Sequence, residues 1–406
     1  MTATGGAVGP VHGPRYRRGA TGRAPRWAKF PAAAAIGLVG DRVFGEPPAT
    51  VHPVALFGRA MTRLEDFVRG DAGPAERGVD QTQGNVDPAA DSGGGAHLSG
   101  AWRPGRAGGA GYAAVGVGLG WAAGWALGPS LPAGAVATSL VVAGRALGEE
   151  AAAVGERLAA GDLDGARRRL PALVGRDPEW LDAKDVARAV VESVAENTVD
   201  AVVAPACWTA VLGAPGAGMY RAVNTLDAMV GHRNQRYARF GWASARLDDA
   251  ANWVPARLTG LLVAAVRPRR AGEVLGAVVH PPGHPSPNAG VVEAAFAAAL
   301  GVRLGGDTVY AGRVDPRPAF GSGRPPEPAD IDAAVRLSRD VTLALAAVLV
   351  APALVRALRR GHRHQPAFLY RKTAEKQPRL AGLGAIGVSH RGHAAVRNAG
   401  STEAPR

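Results

Sequence analysis

From Gly109 to Leu147 the chain carries no charged side chain until Arg145. The run is interrupted once, at Gly128-Pro129-Ser130-Leu131-Pro132, a helix-breaking turn. The pattern predicts two apolar helices, 109–127 and 131–147, close to the ~20 residues that cross the hydrocarbon of a bilayer. A buried helical hairpin of a soluble all-α protein is the alternative. Further apolar runs occupy about 200–219, 253–266 and 340–358. The first of these contains Pro205, Gly213, Pro215, Gly216 and Gly218, so its helix is expected to break. At membrane depth a broken helix is tolerated only where it lines a protein-buried or wet cavity. The shorter run PAAAAIGLVG (31–40) follows basic residues as a signal peptide would, but it leads into DRVFGEPP rather than a small-residue cleavage site and is expected to be retained. The fold class expected is all-α: a polytopic membrane protein with about four to six membrane-associated helices and long polar loops.

Composition agrees. The 406 residues are 47 % apolar but only 5 % aromatic, with Ala and Gly dominant. Small residues let helices approach closely in lipid. Mean hydropathy of −0.01 fits a few spans with polar connections better than a chain made almost wholly of spans. The net charge of +13 is nearly all arginine, the lysines being Lys29, Lys184, Lys372 and Lys376. Such a balance suits nucleic acid, anionic lipid or an acidic substrate, and also follows from a GC-rich genome. No RNP, zinc-finger or helix-turn-helix pattern occurs, which disfavours nucleic acid. Arginine in nearly every loop leaves orientation open. Cys207, the sole cysteine, rules out an intramolecular disulfide and reads as a packed small residue.

Three regions follow: a disordered basic extension over 1–28, a membrane domain over 29–360 with a flexible insert at 70–108, and a basic tail of low order over 361–406. Within the domain, 148–198 is charged and helical, with a connection at 159–165 and a new helix after Pro178.

Residues 188–258 set apolar runs beside many carboxylates and amides. Charge beside such runs must be paired, solvated or bound to something. Glu192, Glu196 and Asp200 fall at i, i+4 and i+8, one stripe of a helix. Three like charges there invite Mg²⁺ or arginines; a solvated, arginine-paired face is the alternative. Arg221, Asn224 and Asp227 share a second face. His232, Arg233, Asn234, Arg236 and Arg239 cluster next, and arginine forks suit phosphate or carboxylate. Of Asp248 and Asp249, beside Asn252, at most one can face a given ligand. Pro287, Asn288 and Gly290 open a helix whose N–H groups could meet an anion. Near the start, Asp41, Glu46, His52, Pro53, Gly58, Arg59 and Glu65 form a shaped loop leading into a helix. No P-loop or dinucleotide fingerprint is found.

Several of these segments together resemble one family. GDRVFGEPPATVHPVALFGRAMTRLE, the run AVVESVAENTVDAVVAP through YRAVNTLDAMVGHRNQRYARFG to ARLDDAANWVPARL, and HPSPNAGVVEAAFAAALGVRLGGDTVYAG are similar, in order and spacing, to the CobD/CbiB family of cobalamin biosynthesis. The resemblance covers roughly 31–69 and 109–360. It implies a multi-pass enzyme of the cell (inner) membrane, adenosylcobinamide-phosphate synthase. That enzyme joins the ring-D propionate of adenosylcobyric acid to aminopropanol phosphate, or to the free amino alcohol, as an amide. ATP and Mg²⁺ are implied, along with the corrinoid and aminopropanol substrates, the lipid bilayer, and other cobalamin-pathway enzymes as candidate partners. On this reading Glu192, Glu196 and Asp200 bind Mg²⁺ or amine, and Arg221, Arg233 and Arg236 hold phosphate. Asn224 and Asp227 position substrate or metal, while Asn197 and Asn288 bond corrin amides or phosphate. Asn234 and His52 join the substrate site, Asp227 or His232 is the general base, and Glu196 is a further catalytic candidate. The chain departs from the family pattern at His232, where a tyrosine is usual, and at Val291, where an aromatic residue is usual. A non-enzymatic corrinoid carrier or pathway scaffold in the membrane is the competing function.

Overall fold

The computed structural model describes residues 26–48, 50–69, 105–175, 178–232, 234–281, 283–306, 308–310, 313–315 and 318–363. Of the expected extension, insert and tail, only residues 26–28, 105–108 and 361–363 fall among them. The chain divides at Val355 into two units, and the first carries the site described below.

The described residues form thirteen α-helices: α1 (Phe30–Phe44), α2 (Pro53–Arg69), α3 (Arg106–Leu127), α4 (Leu131–Val141), α5 (Gly144–Ala159), α6 (Leu163–Arg169), α7 (Ala183–Thr198), α8 (Ala204–Leu212), α9 (Ala214–Val230), α10 (Trp242–Val266), α11 (Ala271–Val279), α12 (Ala289–Leu300) and α13 (Pro328–Arg363). Two short antiparallel ribbons interrupt them. One pairs β1 (Leu304–Gly305) with β4 (Ala319–Phe320), the other β2 (Thr308–Tyr310) with β3 (Arg313–Asp315). Strands of two or three residues are too short to leave a period in the sequence.

The predicted turn at 128–132 is where α3 ends. Ser130 caps α4, its hydroxyl accepting from Ala133 N at 3.1 Å, with a proline in the first turn. Such a cap is worth about 1 kcal/mol. The predicted second helix, 131–147, is in fact two helices: α4 stops at Val141 and α5 starts at Gly144. Tertiary contacts meet at that break: Asp41 Oδ2 accepts from Arg145 N at 3.1 Å at the start of α5, and Ala143 N is bonded across the fold, as described with the site. The run 200–219 breaks as expected, into a π-helical turn (Val199–Val203), α8 and α9. Gly213 joins α8 to α9 at φ 71°, a conformation a side chain would strain.

Helix α7 is buried on most sides. Val190, Val191 and Val194 share one core with Val154 of α5, Phe296 of α12, and Ile331 and Leu337 of α13. Helix α9 lies along α3 through glycines spaced by four: Gly116 meets Leu226, Gly120 meets Gly218 and Ala222, and Gly124 meets Ala214. A Cβ at Gly120 would strike the Gly218 carbonyl, so the approach requires glycine.

Among the described residues three helical stretches are long and apolar enough to cross a membrane: Arg106–Leu127, Leu131–Ala159 and Pro328–Arg359. They leave large apolar side chains exposed, including Leu119, Trp121 and Trp125 on α3 and Leu343, Val348 and Leu354 on α13. Surface of this kind normally meets lipid or a partner.

Candidate active site

The polar interior is assembled where the π-helical turn passes α9 and α10. Asp182 starts α7 by accepting from Asp185 N at 2.8 Å, and the helix runs regularly to Thr198. The π turn then widens the backbone by one residue. Two of its carbonyls are bonded across the fold: Asp200 O accepts from the Tyr220 hydroxyl at 3.2 Å, and Ala201 O accepts from Ala143 N at 3.0 Å. The second bond holds the break between α4 and α5. π turns of this kind are found mostly at functional sites.

Asp200 thereby joins Tyr220 and Arg221 of α9 and Asp248 of α10. Asn252, 1 % exposed, organises the group. Its Nδ2 donates to Asp248 Oδ2 at 3.0 Å and its Oδ1 accepts from Tyr220 at 2.8 Å. Asn224 Nδ2 donates to Asp248 Oδ1 at 3.4 Å, and Arg221 reaches Asn224 Oδ1 at 3.5 Å. Asp227 and Glu196 complete the group from neighbouring turns.

Among the described residues carboxylates outnumber cations here. Burial first, then Asp248, Glu196 and Asp227, push Asp200 well above the ordinary carboxylate range, against the pull of Arg221. Asp227 is pushed up to about 7 by burial, with Asp248, Asp249 and Glu196 adding to it. Burial also raises Asp248, although Asn252 and Asn224 oppose the shift. All three lie outside the membrane-length stretches. Groups displaced toward neutral pH in this way are candidates for proton transfer.

The loop before α2 brings Glu46 and His52 within electrostatic reach of Arg221. His52, 7 % exposed, accepts from Val54 N at 3.2 Å through Nδ1. The proton of the neutral ring therefore sits on Nε2. That nitrogen has no hydrogen-bond partner, and the Glu46 carboxylate stands 3.7 Å away. Arg221 Nε is likewise buried without a partner, and its guanidinium is within electrostatic reach of both Glu46 and Asp200.

A family model described as CobD/Cbib protein matches residues 34–338, which span every group just described. The chain belongs to the CobD/Cbib family. It is 44 % identical over 336 residues to the cobalamin biosynthesis protein CobD of Mycobacterium tuberculosis, covering 80 % of this chain and 96 % of that protein. The protein of the same name from Rhodobacter capsulatus is 48 % identical over 218 residues, 53 % of this chain and 68 % of that one. That of Geobacter metallireducens is 42 % identical over 304 residues, 72 % and 86 % respectively. No solved structure matches the chain.

Other residues expected in the site of this CobD/Cbib-family chain are held elsewhere. Glu192, Glu196 and Asp200 do not converge as a three-carboxylate metal site, and among the described residues no group of three His, Cys, Asp or Glu does. Glu192 Oε1 accepts from Gly305 N at 2.7 Å, clamping β1 to α7, and the π turn alters the angular step where Asp200 sits. Asn288 is a staple: it donates to Asp249 O at 2.8 Å and accepts from Arg257 at 2.9 Å. Asn197 donates to Ser193 O at 3.0 Å, and Asn234 accepts from Tyr237 N at 2.9 Å to form a turn.

Arg236 belongs to a second cluster. Glu65 of α2, 5 % exposed, accepts from the Tyr237 hydroxyl at 2.9 Å and from Arg236 at 3.4 Å, with Arg69 Nε at 4.0 Å. Arg69 and Arg236 lie 5.7 and 5.5 Å from the Tyr237 ring centre. His232 is exposed, its ring 6.4 Å from Tyr237. Arg233 lies outside the described residues. Sequence reasoning did not single out Tyr220, whose hydroxyl is hidden in an apolar run. It gave Glu46 no role and offered Asp248 as a helix cap, whereas α10 starts at Trp242 and Asp248 lies inside it.

Proposed function

We propose that the chain is a membrane-bound ligase of cobalamin biosynthesis, forming an amide between a corrinoid propionate and aminopropanol or its phosphate with ATP as the energy source. The observation that carries this reading is the excess, among the described residues, of partly buried carboxylates over cations at Asp200, Asp227 and Asp248, beside Arg221. An interior acidic group of this kind suits an ammonium, which must be bound, then deprotonated, before it can attack.

A carboxylate does not condense with an amine at neutral pH without activation. ATP would transfer its γ-phosphoryl group to the propionate, giving an acyl phosphate and ADP. The amine would then attack the acyl carbon and expel phosphate, and its surplus proton would pass to Asp227. A group titrating near 7 is suited to that transfer. Arg221 would offset phosphate charge as it develops. Asp200 and Asp248 fit a Mg²⁺ held in the usual way by one or two carboxylates, waters and substrate phosphates; the ion would neutralise phosphate charge. His232, exposed and turned toward Tyr237, is the less suited base.

The test is turnover by detergent-purified protein given adenosylcobyric acid, aminopropanol phosphate, Mg²⁺ and ATP, read by mass spectrometry of the corrinoid. Amide formed in proportion to ADP supports the ligase. Folded protein that binds corrinoid but makes no amide would point to a carrier or scaffold.

A further inference from the structure

Helix α5 begins without a cap of its own. Ala143, the residue before it, offers no side-chain acceptor to the first amides. The acceptor comes instead from α1, where Asp41 Oδ2 accepts from Arg145 N at 3.1 Å and the Gly144 amide also bonds the carboxylate. The free amides and the dipole of a helix N-terminus both favour a carboxylate there. Asp41 is 1 % exposed, and its Oδ1 is buried with no partner among the described residues. Burial pushes its pKa up to about 6, with Glu46 adding to the shift and the Arg145 amide, Arg42 and the Gly144 amide opposing it. Packing alone gives no reason to bury a carboxylate with one oxygen bare.

The stretch of chain that Asp41 caps is the one that grips the π turn. Ala143 N donates to Ala201 O at 3.0 Å, immediately before the amides on Asp41. Gly144 lies between the two: a Cβ there would stand 3.1 Å from Val202 Cγ2 and 3.3 Å from Asp41 Oδ2. Residues 143–145 thus lean on α1 through Asp41 and on the π turn through Ala201 and Val202. The turn is also gripped by the Tyr220 hydroxyl, which donates to Asp200 O.

We propose that Asp41 is a positioning residue for Asp200. By capping α5 from a neighbouring helix it fixes the Ala143 amide, which holds the π turn, and the turn sets where the Asp200 carboxylate lies among Tyr220, Arg221 and Asp248. Asp41 acts through the backbone and not on a substrate. Its effect on the reaction rests on the ligase reading; its hold on the turn does not.

The test is amide hydrogen exchange, read by mass spectrometry on the full-length protein in detergent, with amide-forming turnover measured on the same samples. Asp41→Ala removes the cap. Exchange is expected to rise about five- to thirtyfold over 142–147 and likewise over 199–204, while α2 and the segment 234–241 around Glu65 stay within about twofold. Asp41→Asn keeps a carbonyl oxygen for Arg145 N and should bring both segments back to within about threefold of wild type. Turnover should follow: kcat falls about tenfold in Asp41→Ala and recovers in Asp41→Asn, with KM for either substrate within about twofold. Faster exchange at 142–147 with no change at 199–204 would overturn the proposal, as would an even rise along the whole chain. A normal kcat with a loosened turn would overturn the role in the reaction. A wild type that forms no amide would remove the ligase reading, and the exchange comparison would still decide whether Asp41 holds the turn. Should Asp41→Ala fail to fold, Gly144→Ala, which crowds Val202 and Asp41, should speed exchange over 199–204 in the same way; no rise there would overturn the proposal.

Discussion

Among the described residues two polar clusters, one around the buried Glu65 and one around the partly buried Asp200, are built on opposite plans. Around Glu65, one carboxylate is enclosed by two arginines and a tyrosine hydroxyl, and aromatic rings cover the arginines. Around Asp200, several carboxylates share Arg221, and two donors at its edge have no acceptor. In the first the charges are paired within the chain and fasten the segment after α9 to α2, although the buried Tyr112 hydroxyl beside them has no partner. The second is complete only if something else enters it. Burial alone does not mark a functional site; charge left over after internal pairing does.

The sharpest way to break that contrast is substitution at Asp227. Asp227→Asn should lower kcat by about 10²–10³-fold, the scale of a lost general base. It should leave Tm unchanged or raised, since burial already favours the neutral form. Wild-type turnover would remove Asp227 from the site. Glu65→Ala should do the reverse. It strands two arginines, should cost about 3 kcal/mol of stability by thermal or denaturant unfolding, and should leave kcat per folded molecule near wild type. A variant of normal stability would mean that the Glu65 cluster is not the closed fastening described.

The pH response gives a finer measure. Asp227 titrates near 7 when folded, against about 3.9 in an unfolded chain. Between those values the folded state holds a proton that the unfolded state has released. This group's contribution to stability therefore falls as pH rises from about 4 to about 7, then levels off. Activity should follow the opposite course, rising through about pH 7 as the base form appears, and Asp227→Asn should flatten that limb of the rate profile. The smallest effect is expected at His232. His232→Ala should change kcat by less than about threefold, because an exposed ring on the closed cluster's side handles no proton in the reaction.

The helical architecture was legible in the sequence because it rests on long apolar runs and strong breakers. Gly128-Pro129 and Gly213-Ala214-Pro215 end helices wherever they occur. The gap between α4 and α5 was not legible, since Val142-Ala143 has no breaker and is held by a carbonyl 58 positions further along, at Ala201. In the site, spacing brought Arg221, Asn224 and Asp227 together correctly, because α9 is a regular helix. It failed for Glu192, Glu196 and Asp200, because a π turn lies inside the stripe and because the Gly305 amide claims Glu192. Asn234 and Asn288 looked like ligand contacts. Asn234 instead bonds the backbone of its own turn, as short amides often do, and Asn288 is taken by the distant Asp249 carbonyl and by Arg257.

The bond from Ala143 N to Ala201 O ties two irregularities into one inherited unit. Deleting a residue from the π turn would straighten that helix and leave the amide at the α4–α5 gap without its acceptor. Closing the gap instead would withdraw the donor from the turn. Neither change is tolerable alone, so descendants of this chain should keep both irregularities or lose both together. Residues 142–143 and 199–203, neither of which touches the other in sequence, should gain and lose length in concert.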